Sequence, residues 1–271
     1  MLCLALTLPA LSAQGAAGDH EGRNTDHFTV CGDPNNLPFS NREMQGFENR
    51  VAEIIATALD RPLHYRWWPQ SVGFVRNTLQ VRRCDLVMGI TSVNEMVQNT
   101  NPYYRSVYSL VQRADGSPRI ESLSDPALKE LRLGVVAGTP PATLIANYGL
   151  MPQTRPYQRT VDTRHLAPAK QAVDDVAAGV TDIAVVWGPI AGYGAAQQTP
   201  PLLVTPLPAQ VDDVPLAFNV SMGLRHREKA WKHEINTLIE RLQPEFRRVL
   251  LDYDVPLLDA QDHLIQAATD P

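Results

Sequence analysis

The chain has 271 residues, 44% hydrophobic and 20% charged, which supplies apolar material for a sizeable core and rules out a disordered tail. A net charge of -5, with a pI near 5.8, leaves no basic excess to neutralise phosphates, so nucleic acid is excluded as the natural partner class. The 3 cysteines cannot form a four-thiolate zinc ribbon, and the 7 histidines are dispersed without a His-Glu-x-x-His spacing, so neither a metal site nor a cofactor is assigned.

At the start, Leu2 to Leu11 is an apolar run followed by the small residues Ser12, Ala13, Gly15, Ala16 and Ala17, with no charge before Asp19. This pattern reads as a signal peptide over residues 1–17 and implies export to the periplasm, although the usual positive leading segment is missing. The run is far shorter than the roughly 20 apolar residues of a membrane span, and Cys3 lacks a lipobox, so no membrane anchoring is expected. The other reading, a buried first helix, is opposed by Gly15, Gly18 and Gly22 close behind.

From residue 27 the order strand, loop, helix recurs, which predicts an α/β fold with a mainly parallel sheet. Residues 27–31 read as a strand that ends in the turn-rich Gly32-Asp33-Pro34-Asn35-Asn36-Leu37-Pro38. Residues 47–59 place Phe47, Val51, Ile54, Ile55 and Ala58 on one helical face. Strand 63–67, helix 73–81, strand 84–90 and an extended stretch 104–113 follow.

A second unit of the same rhythm begins after Asp115-Gly116-Ser117-Pro118. It comprises strand 132–136, a helix opened by Gly138-Thr139-Pro140-Pro141, helix 168–178, strand 182–187 and helix 189–196, followed by extended 218–224 and helices 228–242 and 245–251. Residues 27–112 and 213–271 are expected to form a discontinuous first lobe and 113–212 a second. The chain would cross between them near 110–118 and 200–216, leaving a cleft beyond the carboxyl ends of the strands.

Cys31 and Cys84 are the cysteines left after cleavage, and an oxidising compartment would let them pair. A bridge would contribute at most about 4 kcal/mol on the chain-entropy model. If both sit on parallel strands, their offset could exceed the ~7 Å Cα limit for a disulfide, so the pairing stays open at this point.

The succession Asp33-Pro34-Asn35-Asn36-Leu37-Pro38-Phe39, Gly46-Phe47-Glu48, Cys84-Asp85-Leu86-Val87-Met88-Gly89-Ile90-Thr91, Asn101-Pro102-Tyr103-Tyr104 and Leu133-Gly134-Val135-Val136 resembles bacterial extracellular solute-binding proteins of the amino-acid-binding type. The resemblance implies the type II periplasmic binding fold, in which two crossing strands join two lobes around a central cleft. Cys31-Gly32-Asp33-Pro34-Asn35-Asn36, Trp67-Trp68-Pro69-Gln70 and Gly73-Phe74-Val75-Arg76-Asn77 further resemble the quinoprotein-dehydrogenase-associated branch, the MoxJ and XoxJ group of methanol-oxidation accessory proteins. That branch implies as partner a PQQ-dependent methanol or alcohol dehydrogenase, containing calcium or a lanthanide, with its cytochrome c nearby.

Two departures from the amino-acid receptors bear on the ligand. Where those receptors carry an arginine for the ligand carboxylate, this chain has Met96 at the end of Thr91-Ser92-Val93-Asn94-Glu95-Met96. Where they carry an aspartate for the ligand ammonium, it has Val186-Trp187-Gly188-Pro189. Loss of two charge-assisted contacts, each worth about 1.5–3 kcal/mol, would remove ordinary receptor affinity for free amino acids.

On the family's arrangement, Phe39, Trp67, Trp68, Phe74, Met96, Tyr103, Tyr104 and Trp187 would surround the cleft and suit a planar ligand or an inserted partner segment. Lobe core is the competing assignment for such aromatics. Asp33, Asn35 and Asn36 end the first strand, facing the cleft or simply forming its turn. Thr139 either caps a helix or helps present backbone N–H groups to an anion. The leading expectation is a non-catalytic periplasmic accessory protein for the dehydrogenase. A solute receptor of an ABC importer comes second, and an enzyme using Asp33 as its acid third.

Overall fold

The computed structural model describes residues 25–91, 95–116, 118–159 and 162–266. The expected signal peptide, residues 1–17, lies outside the described residues, as do Ser92, Val93 and Asn94. The first elements are β1 (Phe28–Gly32), β2 (Asn35–Asn36), β3 (Ser40–Asn41), α1 (Phe47–Ala58), β4 (Leu63–Trp67), α2 (Phe74–Asn77), β5 (Leu86–Thr91) and β6 (Gln98–Gln112). Next come β7 (Leu133–Val136), α3 (Pro140–Asn147), β8 (Thr154–Tyr157), α4 (Pro168–Ala177), β9 (Ile183–Trp187) and α5 (Gly188–Ala196). The chain closes with β10 (Leu203–Pro206), the ribbon β11 (Gln210–Val211) and β12 (Val214–Pro215), then β13 (Ala217–Leu224), α6 (Lys229–Arg241) and α7 (Gln243–Asp252).

One curled sheet runs through both lobes in the order β4-β1-β5-β13-β6-β9-β7-β8, with β10 also paired to β6. β1 and β9 are continuous runs of buried residues apart from the half-buried Trp187, the signature of strands covered on both faces. The first lobe packs Phe28, Phe47, Ile55, Trp231 and Phe246 in one cluster, and a smaller cluster with Phe74 and Leu79 lies across the sheet. The second lobe has a core on each face, one holding Leu110, Leu144 and Ile183, the other Val173, Val176 and Val186.

The entry to α1 illustrates how the turn sets the first lobe. The Asn49 side-chain oxygen accepts from the backbone N–H of Gly46 at 3.0 Å and of Asn41 at 3.1 Å. The N–H groups of Phe47 and Glu48 donate to the carbonyls of Pro38 and Phe39, so the helix start is satisfied by the turn beneath it. Gly46 is required there, because a Cβ would sit 2.0 Å from the Phe39 carbonyl oxygen.

β6 is the strand that passes from lobe to lobe. It pairs with β13 up to Val107 opposite Ala217, and with β9 from Tyr108 opposite Trp187. The exchange of partners therefore falls inside the strand, ahead of the 110–118 expected from the loop signal, because the Gly-Pro break only ends the strand. The return passage grips the same point: the Tyr108 N–H donates to Leu216 and its carbonyl accepts from Leu207, each at 3.0 Å.

A third connection was not expected. After α7 the chain runs back over the crossing, where Leu257 bridges Ser106, Leu258 N–H donates to the Arg105 carbonyl at 2.9 Å, and Ser106 Oγ donates to the Pro256 carbonyl at 2.7 Å. Leu257 packs into the first-lobe core and Leu258 into the second. Gly192 of α5 admits this segment, since a Cβ would lie 1.8 Å from the Asp254 carbonyl oxygen.

Cys31 and Cys84 are joined in a disulfide with a Cα–Cα separation of 5.6 Å. The offset foreseen for two strand cysteines does not arise, because β5 begins only at Leu86 and Cys84 lies in the bend before it. Both cysteines are buried among Phe74, Val75 and Leu79. Denaturant titration of the Cys31→Ala, Cys84→Ala double variant should show a loss of about 2–5 kcal/mol against the oxidised protein. Coincident transitions would contradict a structural role for the bridge.

Candidate functional site: a clasped cleft

The loop after β1 binds directly to the second lobe. Asp33 is only 2% exposed, and both its carboxylate oxygens accept from the Thr163 hydroxyl, at 2.9 and 2.7 Å. Oδ1 also accepts from the Asn35 N–H at 2.9 Å and Oδ2 from the Gln70 N–H at 2.5 Å. Asn35 Nδ2 donates to the Thr163 carbonyl at 2.9 Å, and Asn36 Nδ2 to Gln70 Oε1 at 3.2 Å. Burying a carboxylate is costly unless donors surround it, and here the donors from both lobes make it a clasp.

Behind the clasp lies a cavity of about 780 Å³, within the usual size of small-molecule sites. Tyr108, Trp187 and Phe218 form one wall, Thr139, Pro140 and Thr143 face them from the start of α3, and Thr91 comes from the end of β5. The ring centroids of Trp187 lie 5.2 Å from Tyr108 and 6.1 Å from Phe218, all in edge-on contact. Arg159 is the one charged residue of the lining among the described residues, and its Nη1 donates to the Gly138 carbonyl at 3.0 Å. Burial pushes the Tyr108 hydroxyl up to about 12, with the Arg159 charge acting in the opposite direction. A smaller cavity of about 220 Å³ continues past Arg159 to Asn36, Phe39 and Gln70.

Of the residues singled out in the sequence, Thr139 and Trp187 line the larger cavity and Asn36 and Phe39 the smaller, with Asp33 and Asn35 in the clasp beside them. Thr139 does not cap α3 with its side chain; its hydroxyl donates to the Val136 carbonyl at 2.7 Å. Phe74, Tyr103 and Tyr104 are buried in the first lobe and line neither cleft cavity. Trp67 stacks on Tyr65 at 4.3 Å with the Arg42 guanidinium 5.9 Å from its ring, and Trp68 lies under Arg83 at 5.7 Å. These two tryptophans and Met96, which is 42% exposed, stand outside the cavity walls. Sequence reasoning missed Tyr108, Phe218, Arg159 and Thr163. The first two carried a usable signal, being aromatics on the crossing strands; the others sit in irregular chain without a motif.

Glu48 occupies the first turn of α1, where the helix dipole favours a negative charge by about 0.3–1 kcal/mol. Burial outweighs that and lifts its carboxyl from 4.5 to about 8, opposed by the Tyr103 hydroxyl, which donates to Oε1 at 3.5 Å, and assisted by repulsion from Asp33. Gly89, at φ +69°, makes room for this carboxyl, since a Cβ would lie 2.4 Å from Oε1. No group of three or more potential metal-ligating side chains occurs among the described residues, and no helix among them is long and apolar enough to cross a membrane.

Two lobes on one curled sheet, crossed by β6 and its return and enclosing a cleft, define a type II periplasmic binding fold. The crystal structure of periplasmic binding protein XoxJ from Methylobacterium extorquens AM1 superposes with a TM-score of 0.73 at 39% identity, covering 86% of this chain and 99% of that one. MxaJ from Methlophaga aminisulfidivorans superposes with a TM-score of 0.74 at 28% identity, covering 85% and 100%. An ancestral cationic amino-acid solute-binding protein, 19% identical with a TM-score of 0.68, shares the fold alone. No protein-family model matches the chain. Protein MoxJ of Methylorubrum extorquens is 31% identical over 236 residues, covering 82% of this chain and 78% of that protein, and MoxJ of Paracoccus denitrificans is 24% identical over 269 residues, 94% of each. The chain belongs to the MoxJ family. Membership supports a periplasmic accessory role in methanol oxidation.

The raised Glu48 carboxyl gives a pH dependence with a definite sign. Because the folded state holds its proton more tightly, Glu48 destabilises the protein progressively as pH rises from 4.5 to about 8. Glu48→Gln should flatten that part of the profile, with a gain on the order of a few kcal/mol near pH 8 and little difference at pH 4. Parallel unfolding profiles of variant and wild type across this range would refute the assignment.

Proposed function

We propose that this protein is a non-catalytic periplasmic accessory protein that binds a PQQ-dependent methanol dehydrogenase and assists its maturation or activation. The observation that carries the reading is the chemistry of the cleft in a MoxJ-family chain. Among the described residues its larger cavity is lined by no acidic side chain, and Trp187 stands at the strand end where an amino-acid receptor would hold the ligand ammonium. The Asp33 carboxylate, in the clasp beside the cavities, is engaged by the chain's own donors.

The docking surface fits the first-lobe rim of the cleft. There the half-buried Trp67 and Trp68 lie under Arg42 and Arg83, and Val72 is 87% exposed. Gln70 ties the same segment to the clasp. Aromatic and arginine side chains are the residue types that dominate interface energetics. A second reading, a receptor for a small solute other than an amino acid, is favoured by the volume of the aromatic-lined cavity behind the clasp.

Sedimentation of the mature protein with purified quinoprotein methanol dehydrogenase should show a complex. The Trp67→Ala, Trp68→Ala double variant should weaken it by about tenfold or more, equivalent to about 1.4 kcal/mol, with its circular dichroism unchanged. Absence of a complex with both apo- and holo-dehydrogenase would overturn the docking reading. Calorimetric titration with common amino acids should give no micromolar binding.

A further inference from the structure

Among the described residues the cavity lining has three aromatic rings, one guanidinium and no acid, and these belong to one recognition chemistry. We infer that the larger cleft cavity is a binding site for a flat, fused-ring aromatic monocarboxylate. This deepens the solute-site reading and is independent of docking on a dehydrogenase.

Tyr108, Trp187 and Phe218 meet at 65°, 62° and 81°, so their rings are steeply inclined to one another and form a corner. A planar ligand seated in such a corner offers its face to one ring and its edge to the others, the two geometries that aromatic quadrupoles favour. The volume of about 780 Å³ accommodates more than one ring.

Charge selects among planar ligands. An aromatic corner also attracts organic cations, but a cation here would face Arg159, and no carboxylate among the described lining residues offsets the repulsion. Arg159 is oriented by the bond from its Nη1 to the Gly138 carbonyl, and its planar fork retains further donors suited to a carboxylate. The one cation matches one anionic group. Thr91, Thr139 and Thr143 add hydroxyls around the same space; Thr139, whose proton goes to the Val136 carbonyl, offers acceptor capacity, while hydroxyls in general both accept and donate.

The test is a calorimetric titration with 2-naphthoate, its neutral isostere 2-naphthamide, and cyclohexanecarboxylate. 2-Naphthoate should bind saturably, with the other two about tenfold weaker or more. Arg159→Gln should lose about tenfold for 2-naphthoate and leave 2-naphthamide unchanged, a split that general damage to the fold would not produce. Trp187→Leu, checked by circular dichroism, should weaken both aromatic compounds. No saturation by any of the three up to millimolar concentration would overturn the solute site itself. Equal binding of 2-naphthamide or cyclohexanecarboxylate, or an Arg159→Gln protein unchanged for 2-naphthoate, would overturn the ligand class. Neither result bears on the dehydrogenase complex, which is read separately by sedimentation.

Discussion

A carboxylate removed from water must find its donors inside the protein, and Asp33 finds one of them in the opposite lobe. That demand organises much of the molecule. Asp33 lies two residues beyond Cys31, which is fixed by the disulfide and by β1 between β4 and β5 in the sheet. The Asn35 and Gln70 N–H groups hold the carboxylate from the first lobe, while Thr163 supplies the second-lobe donor. Breaking the cross-lobe bond alone would leave a buried carboxylate short of a partner, a larger penalty than the net value of an ordinary hydrogen bond.

The crossing region is built to keep the lobes in register with that bond. β6 passes through without interruption, its return grips both backbone groups of Tyr108, and the segment after α7 ties Arg105 and Ser106 to the C-terminal chain. Tyr108 thus joins the crossing to the cavity, because the backbone held by the return carries a ring on the cavity wall. In this chain a carboxylate–hydroxyl bond joins the lobes, and the cavity beside it is lined by aromatic rings with, among the described residues, one guanidinium.

Most of the strands were legible because they are buried runs of β-branched and apolar residues bounded by turn formers, as in residues 28–32 and 183–187. The α/β class and the two-lobed fold followed from their alternation with helices. The helix expected over 73–81 contracted to Phe74–Asn77, and β5 started later than expected, leaving Cys84 free to bend toward Cys31. The site was legible only in part. Tyr103 and Tyr104 looked like cleft aromatics, yet the register shift in the β6–β13 pairing at Pro102–Tyr104 leaves both rings in the same first-lobe core, 4.9 Å apart in edge contact, with Tyr103 meeting Phe246 and Tyr104 meeting Phe47. Thr163 and the C-terminal strap have no periodicity or motif, and their roles come from contacts between distant parts of the chain, so spacing alone could not reveal them.

Small-angle scattering of wild type and Thr163→Val, at matched concentration and after dialysis, addresses the clasp most directly. If the Asp33–Thr163 bond holds the lobes together, the variant has a larger radius of gyration and a scattering profile widened by lobe opening, with unchanged circular dichroism. Superimposable profiles would mean that the crossing strands and the C-terminal strap set the lobe arrangement by themselves, and would contradict the account given of Asp33.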